Sequence, residues 1–217
     1  MPFEIVPFVD ALLDDAAKLL VARHRTSRAS MPLLPARFED PAVARGAVAA
    51  AWQTLGARGV AALDGSTLLG YLIGAPRINL QLGRTAWFDL PGHVLAPSQS
   101  AELYRDMYAA LAPTGLDQGC FARYAIIRAY GDEALYAWFA LSFGQEHAHS
   151  LRDITGDNIL VTADAKSDLT IRQAASGDED TLRGIADLIF RHYAGAPVYA
   201  PFFPESVGEL QETAMLV

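Results

Sequence analysis

The stretch Val60-Ala61-Ala62-Leu63-Asp64-Gly65-Ser66-Thr67-Leu68-Leu69-Gly70-Tyr71-Leu72-Ile73 decides the fold. Two apolar runs, residues 60–63 and 68–73, flank Asp64-Gly65, a pair that accepts the positive φ angles of a tight hairpin turn, so two antiparallel strands are predicted. On the N-terminal side, residues 3–8 have strand composition. Asp10 then stands as an N-cap before a helix over residues 11–25, where Leu12, Ala16, Leu19, Leu20 and Arg23 recur at helical spacing and form one stripe for packing on a sheet. Met31-Pro32-Leu33-Leu34-Pro35 reads as an extended connector, because proline excludes helix at its own position and disfavours it at the preceding one. A second helix is predicted from Pro41 through Trp52 to Arg58, with Gly59 ending it.

On the C-terminal side, residues 80–82 and 85–90 read as strands separated by Gly83-Arg84, and His93-Val94-Leu95 ends the run before Pro97. The period then changes. Leu103, Met107, Tyr108 and Leu111 share one face of a helix over residues 101–111, with Ser98 or Ser100 as N-cap. A β-rich run at 121–128, a short helix at 132–141, a final strand at 145–151 and a polar linker at 155–167 follow. This order predicts an α/β (α+β) class with a mixed, mostly antiparallel central sheet flanked by helices. The late helical crossover adds locally parallel pairing.

Composition excludes several functions. Of 217 residues, 52% are hydrophobic and 19% charged, which is enough apolar material for a sizeable core. A net charge of −8 argues against nucleic acid, whose phosphates need a dense basic surface. No apolar run approaches the roughly 20 residues that span a bilayer, and the first residues lack the basic-then-apolar pattern of a signal peptide. A cytoplasmic protein without membrane partners is expected. The single Cys120 precludes an internal disulfide and a thiolate-rich metal site, and it reads as a small buried hydrophobe. His147 and His149 alternate on the predicted strand, but no carboxylate or cysteine has matching spacing, so no metal is expected. Arg23, Arg25 and Arg28 form a basic spot that suits either a phosphate or a solvated helix end. Phosphate-loop, dinucleotide and esterase glycine motifs do not occur.

The order of elements, together with Ala134 and Trp138-Phe139-Ala140-Leu141-Ser142-Phe143-Gly144, resembles the GNAT superfamily of acyl-CoA-dependent N-acetyltransferases over residues 3–154. The family signature is Asn-x-x-Ala-x-x-Leu-Tyr-x-x-Leu-Gly-Phe, with Phe143 at its final aromatic. The resemblance implies a V-shaped opening between two central strands, where backbone amides of His93, Val94 and Leu95 would bind the pantetheine arm of acetyl-CoA. It further implies that Ser98, Gln99, Ser100 and Ala101 would hold the pyrophosphate at a helix N-terminus. The chain departs from that pattern in two places. Residues 98–105 contain no glycine, and Glu102 stands beside the expected anion. Trp138 falls on the family's tyrosine and Gly131 on its asparagine, and an indole N–H has no useful acidity for protonating a thiolate. Tyr136 lies about 200° around the helix from Trp138, so no catalytic residue is assigned. These departures predict a degenerate copy.

Leu169-Thr170-Ile171-Arg172-Gln173-Ala174, then Gly177-Asp178 and an amphipathic run through Leu182, Ile185, Leu188 and Ile189, repeat the strand-then-helix opening. Arg23-His24 followed by Met31-Pro32-Leu33-Leu34-Pro35 matches Arg191-His192-Tyr193 followed by Pro197-Val198-Tyr199-Ala200-Pro201. The reading is thus a GNAT-like domain over 1–154, a linker over 155–167, and the start of an incomplete second copy over 168–217. The resemblance implies an acetyl-CoA-dependent N-acetyltransferase of tandem type, acting on a small-molecule amine or another acceptor by direct transfer. The alternative is a non-catalytic acyl-CoA-binding or dimerisation module on the same fold, and a homodimer stays open.

Overall fold

The hairpin forms around Gly65, whose φ of +59° is the left-handed value its turn requires. It lies in a computed structural model that describes residues 3–79, 83–129, 132–151, 172–195 and 207–213. These residues group into two compact units, Met1–Ile78 with Arg84–Asp153 and Asn79–Gly83 with Ile154–Val217.

In the first unit, β1 (Glu4–Pro7) leads through a 3-10 turn to α1 (Leu13–Ser30) and α2 (Pro41–Gln53), followed by β2 (Arg58–Asp64) and β3 (Thr67–Asn79). Next come β4 (Gly83–Phe88), β5 (His93–Leu95), α3 (Leu103–Asp117), β6 (Ala122–Ala125) and α4 (Asp132–Ala140). The sheet runs β1-β2-β3-β4-β6, with β5 also on β3. β1, β2 and β3 pair antiparallel, whereas β6 runs parallel to β4 after the α3 crossover. The mixed sheet flanked by helices is the predicted class.

Side chains alternate across a strand, so β3 feeds two cores. Tyr71 and Ile73 face α1 and α2 with Phe8, Leu20 and Val48, whereas Leu72 faces α3 with Phe88, Met107, Leu111 and Trp138.

Several boundaries differ from the sequence reading. Asp10 does not cap α1: a 3-10 turn over Asp10–Leu12 delays the helix, and the carboxylate instead accepts Trp52 Nε1 at 2.6 Å, tying this turn to the end of α2. Residues 31–35 turn rather than extend throughout and feed a second 3-10 turn, Ala36–Glu39. α2 is capped by Asp40, whose carboxylate accepts Ala42 N–H at 2.7 Å. It ends at Gln53, not Arg58, because Gly56 at φ +78° reverses the chain and Gly59 already pairs with Ile73. α3 starts later and runs to Asp117, with Glu102 at its N-cap position; Ser100 Oγ accepts Glu102 N–H at 3.3 Å. The predicted strand at 145–151 does not form. Its polar side chains are exposed and have no apolar face to bury, so the alternation argued for His147 and His149 does not arise. Residues 80–82, the linker 155–167, the first half of the strand predicted over 169–174 and the proline-rich stretch 197–203 lie outside the described residues, and residues 172–174 form no strand.

In the second unit a 3-10 turn, Ser176–Asp178, leads into α5 (Glu179–Ile185) and α6 (Leu188–Ala194), and α7 (Val207–Thr213) contacts α5. Ile185, Leu188 and Ile189 are exposed. No helix among the described residues is long and apolar enough to cross a membrane.

Candidate functional site

The site starts where β4 gives way to β5. Phe88 still pairs with Ala125, and Ile126 N–H donates to Phe88 O at 2.9 Å. A 3-10 turn, Leu90–Gly92, then swings the chain onto β3, where Leu95 faces Gly70, Val94 faces Tyr71 and His93 faces Leu72. β5 and the residues after β6 therefore part, leaving a notch. Ala96 N–H donates to Leu69 O at 2.7 Å. By the alternation of an antiparallel ladder, the N–H and C=O groups of His93 and Leu95 consequently point away from β3 and toward the notch.

His93 fills it. The ring is 2% exposed, its Nε2 lies 3.0 Å from Ile126 O, and its Nδ1 lies 3.3 Å from the Tyr104 hydroxyl. A carbonyl can only accept, so Nε2 carries the proton and Nδ1 accepts from Tyr104. Burial drives the His93 pKa down from 6.5 to about 3, the Arg23 and Arg128 guanidiniums push the same way, and the bond to Ile126 opposes them. Burial likewise raises Tyr104 and Tyr71, whose hydroxyl donates to Pro91 O at 2.9 Å. Arg23 reaches in from α1, donating from Nη1 to His93 O and from Nη2 to Leu90 O at 2.8 Å. Arg128, beyond β6, donates to Ser27 Oγ on the same helix at 3.0 Å.

Trp138 closes the floor. It is 1% exposed, with ring centroids 5.6 Å from both His93 and Tyr104 and 4.9 Å from Phe143. Its Nε1 finds no acceptor among the described residues.

Ser98, Gln99, Ser100 and Ala101 come together in an open depression of about 620 Å³, completed by Pro97, Glu102, Glu133 and Tyr136. Val94 points into the opposite core, and Cys120 is buried. Among the described residues no group of histidines, cysteines and carboxylates could hold a metal.

The sequence reading missed Tyr104, Arg128 and the role of Arg23. The signal for Arg23 was present: a guanidinium on an apolar helical stripe needs buried acceptors. Tyr136 lies far around α4 from Trp138, and that geometry turns it out onto the depression, 70% exposed.

No protein-family model and no curated protein matches the sequence. Solved structures do match in shape. A ribosomal-protein-alanine N-acetyltransferase from Brucella melitensis biovar Abortus 2308 is 10% identical, with 70% of this chain and 99% of that one aligned at a TM-score of 0.50. An aminoglycoside antibiotic 6'-N-acetyltransferase from Acinetobacter haemolyticus is 12% identical, over 71% and 99% of the chains, at 0.51. A transcriptional regulator from Bacillus halodurans C-125 is 14% identical, over 70% and 99%, at 0.51. The fold is the GNAT acyl-CoA N-acyltransferase fold.

At these identities the GNAT likeness concerns shape alone, and chemistry must be read from the residues. Those at the depression do not fit a diphosphate. Residues 98–102 offer no glycine for close backbone approach, and the charged residues lining the depression, Glu102 and Glu133, are both acidic. Arg105 is held by Glu102 at 2.6 Å.

Proposed function

We propose that this chain belongs to an acetyl-CoA-dependent N-acetyltransferase of tandem GNAT type, acting in the cytoplasm on an amine that is a small molecule or another acceptor. Residues 1–154 are its degenerate copy, 155–167 a linker and 168–217 the opening of a second copy. In the reaction the amine nitrogen attacks the thioester carbonyl carbon, the C–S bond breaks, and the departing CoA thiolate takes up a proton.

The observation that carries this division of labour is Trp138. It stands where the signature has a tyrosine, sealed among His93, Tyr104 and Phe143, and provides no acidic hydroxyl for the thiolate. The shared fold supports the acyl-transfer class, while the acidic depression argues that this copy is not the one that holds acetyl-CoA. Calorimetric titration of the 217-residue chain with acetyl-CoA tests the reading. No binding in the micromolar range, that is, nothing near about −8 kcal/mol, is expected; a micromolar dissociation constant refutes the degenerate assignment.

A further inference from the structure

We propose that Arg23 and His93 lock the notch of the first domain shut, so that the protein's own hydrogen bonds exclude an acyl-CoA arm independently of the loop at 98–102. The inference rests on the degenerate reading above and identifies its cause.

A notch between parted strands presents unsatisfied backbone groups, which must find partners. In an acyl-CoA-binding notch those partners belong to the pantetheine arm. Here side chains take the place at three carbonyls. His93 O, on the β5 lip, accepts Arg23 Nη1, and the adjoining Leu90 O accepts Nη2. On the opposite lip, Ile126 O accepts the His93 ring at 3.0 Å, and Tyr104 completes the ring's hydrogen bonding.

Helix α1 holds both lips from a single face. Arg23 grips β5, and Ser27, one turn further on, accepts Arg128 from the chain beyond β6. An incoming arm would have to strip a guanidinium from two carbonyls and expel an imidazole packed between Tyr104 and Trp138. Arginine stays charged at every accessible pH, and the ring is kept neutral, so ordinary changes of pH do not open the lock. The groups facing the ring are Tyr104 from α3, Arg23 from α1 and Arg128 from beyond β6, with Tyr71 of β3 close to the first two.

The test is amide hydrogen exchange with histidine ring ¹⁵N spectra on the full chain, comparing wild type, Arg23→Met and Arg23→Met with His93→Phe. In wild type the His93 ring is expected as the Nε2–H tautomer, with shifts constant from about pH 8 to pH 5. Both variants are expected to speed exchange at Ile126, whose N–H is held by Phe88 O at 2.9 Å beside the notch, by about tenfold or more, while Ala61 and Leu72 in the hairpin stay protected, which reports folding. Arg23→Met alone carries the test should the double variant not fold. Unchanged exchange in the variants, or a ring that titrates in the ordinary histidine range, overturns the lock. Micromolar acetyl-CoA binding that leaves the His93 signals unmoved would place the ligand outside the notch, removing the degenerate reading while the closure of the notch itself stands. Binding that moves them would remove both.

Discussion

Acid should destabilise the first domain through His93 before its carboxylates contribute. In the unfolded chain this imidazole takes up a proton below 6.5, whereas in the fold it does so only near 3. Between those values the unfolded state binds the extra proton, so stability falls as pH falls. The slope is about 1.4 kcal/mol per pH unit, or about 2.7 kcal/mol over the two units below 6.5. Carried down to pH 3 the loss is about 4 kcal/mol, close to the lower end of a typical domain's stability. Glu39, held low by Arg28, joins only below its ordinary 4.5. Asp178, held low by Arg172, lies in the second unit.

The window above pH 4.5 therefore isolates the histidine. Trp52, Trp87 and Trp138 all lie in the first unit, so urea unfolding followed by tryptophan fluorescence reports that unit alone. Curves at intervals of about one pH unit from pH 7.5 to 4.5 should show the loss in wild type and a much flatter dependence in His93→Gln, which keeps a donor but has no titrating group. Parallel loss in the two proteins would sink the reasoning, because it would mean that His93 is not buried in its neutral form.

Four substitutions at three positions probe the same region. Trp138→Phe should change stability by no more than about 1 kcal/mol, since the packing lost with three ring atoms, roughly 2 kcal/mol, is offset by about 1–3 kcal/mol from not burying an N–H without an acceptor. Trp138→Ala should cost about 3–5 kcal/mol. Urea midpoints by circular dichroism check both, and a large loss in the phenylalanine variant would mean that the indole N–H is bonded. Ser142→Gly should stabilise by about 1 kcal/mol, because Ser142 sits at φ 68°; an unchanged or lower melting temperature contradicts this. Gly92→Ala should destabilise by about 1–3 kcal/mol, since its Cβ would lie 2.8 Å from the backbone oxygen of Ile73; unaltered thermal unfolding would show that the turn can move.

Local chemistry made most of the first unit legible. Asp64-Gly65 announced the hairpin, and the period change after Pro97 announced α3. Ser142 shows why a signature can be read through a substitution. Its N–H donates to Phe139 O at 2.9 Å and that of Phe143 to Trp138 O at 3.2 Å, the paired bonds of a left-handed helix stop, so the geometry normally supplied by glycine persists at some strain. The misplaced features depend on distant partners. Asp10 had the composition of a cap but found an indole 42 residues away, and Arg23 found carbonyls 67 and 70 residues away. Residues 145–151 alternated without a face to bury, and alternation specifies a strand only when one side is covered.

The same contacts define what the proposed internal repeat would have to reproduce. Arg23 and His24 are adjacent because they serve the two sides of one helix end. The arginine ties α1 to the turn before β5, while His24 Nε2 donates to Pro35 O at 2.9 Å and its ring meets Phe38 edge-on at 5.6 Å. An Arg-His pair and a following proline-aromatic connector are thus interlocking parts of one device. Strand-helix openings recur in unrelated chains and carry little weight alone. The sequence repeats the residues of that device, Arg191-His192 and then Pro197 to Phe203, but Arg191 and His192 do not repeat its contacts: Arg191 Nε donates to Asp187 on its own helix at 2.6 Å, and the His192 ring lies 5.9 Å from that of Tyr193. The proposed repeat over residues 168–217 therefore rests on likeness of sequence, and a shared packing of the Arg-His pair is not part of it.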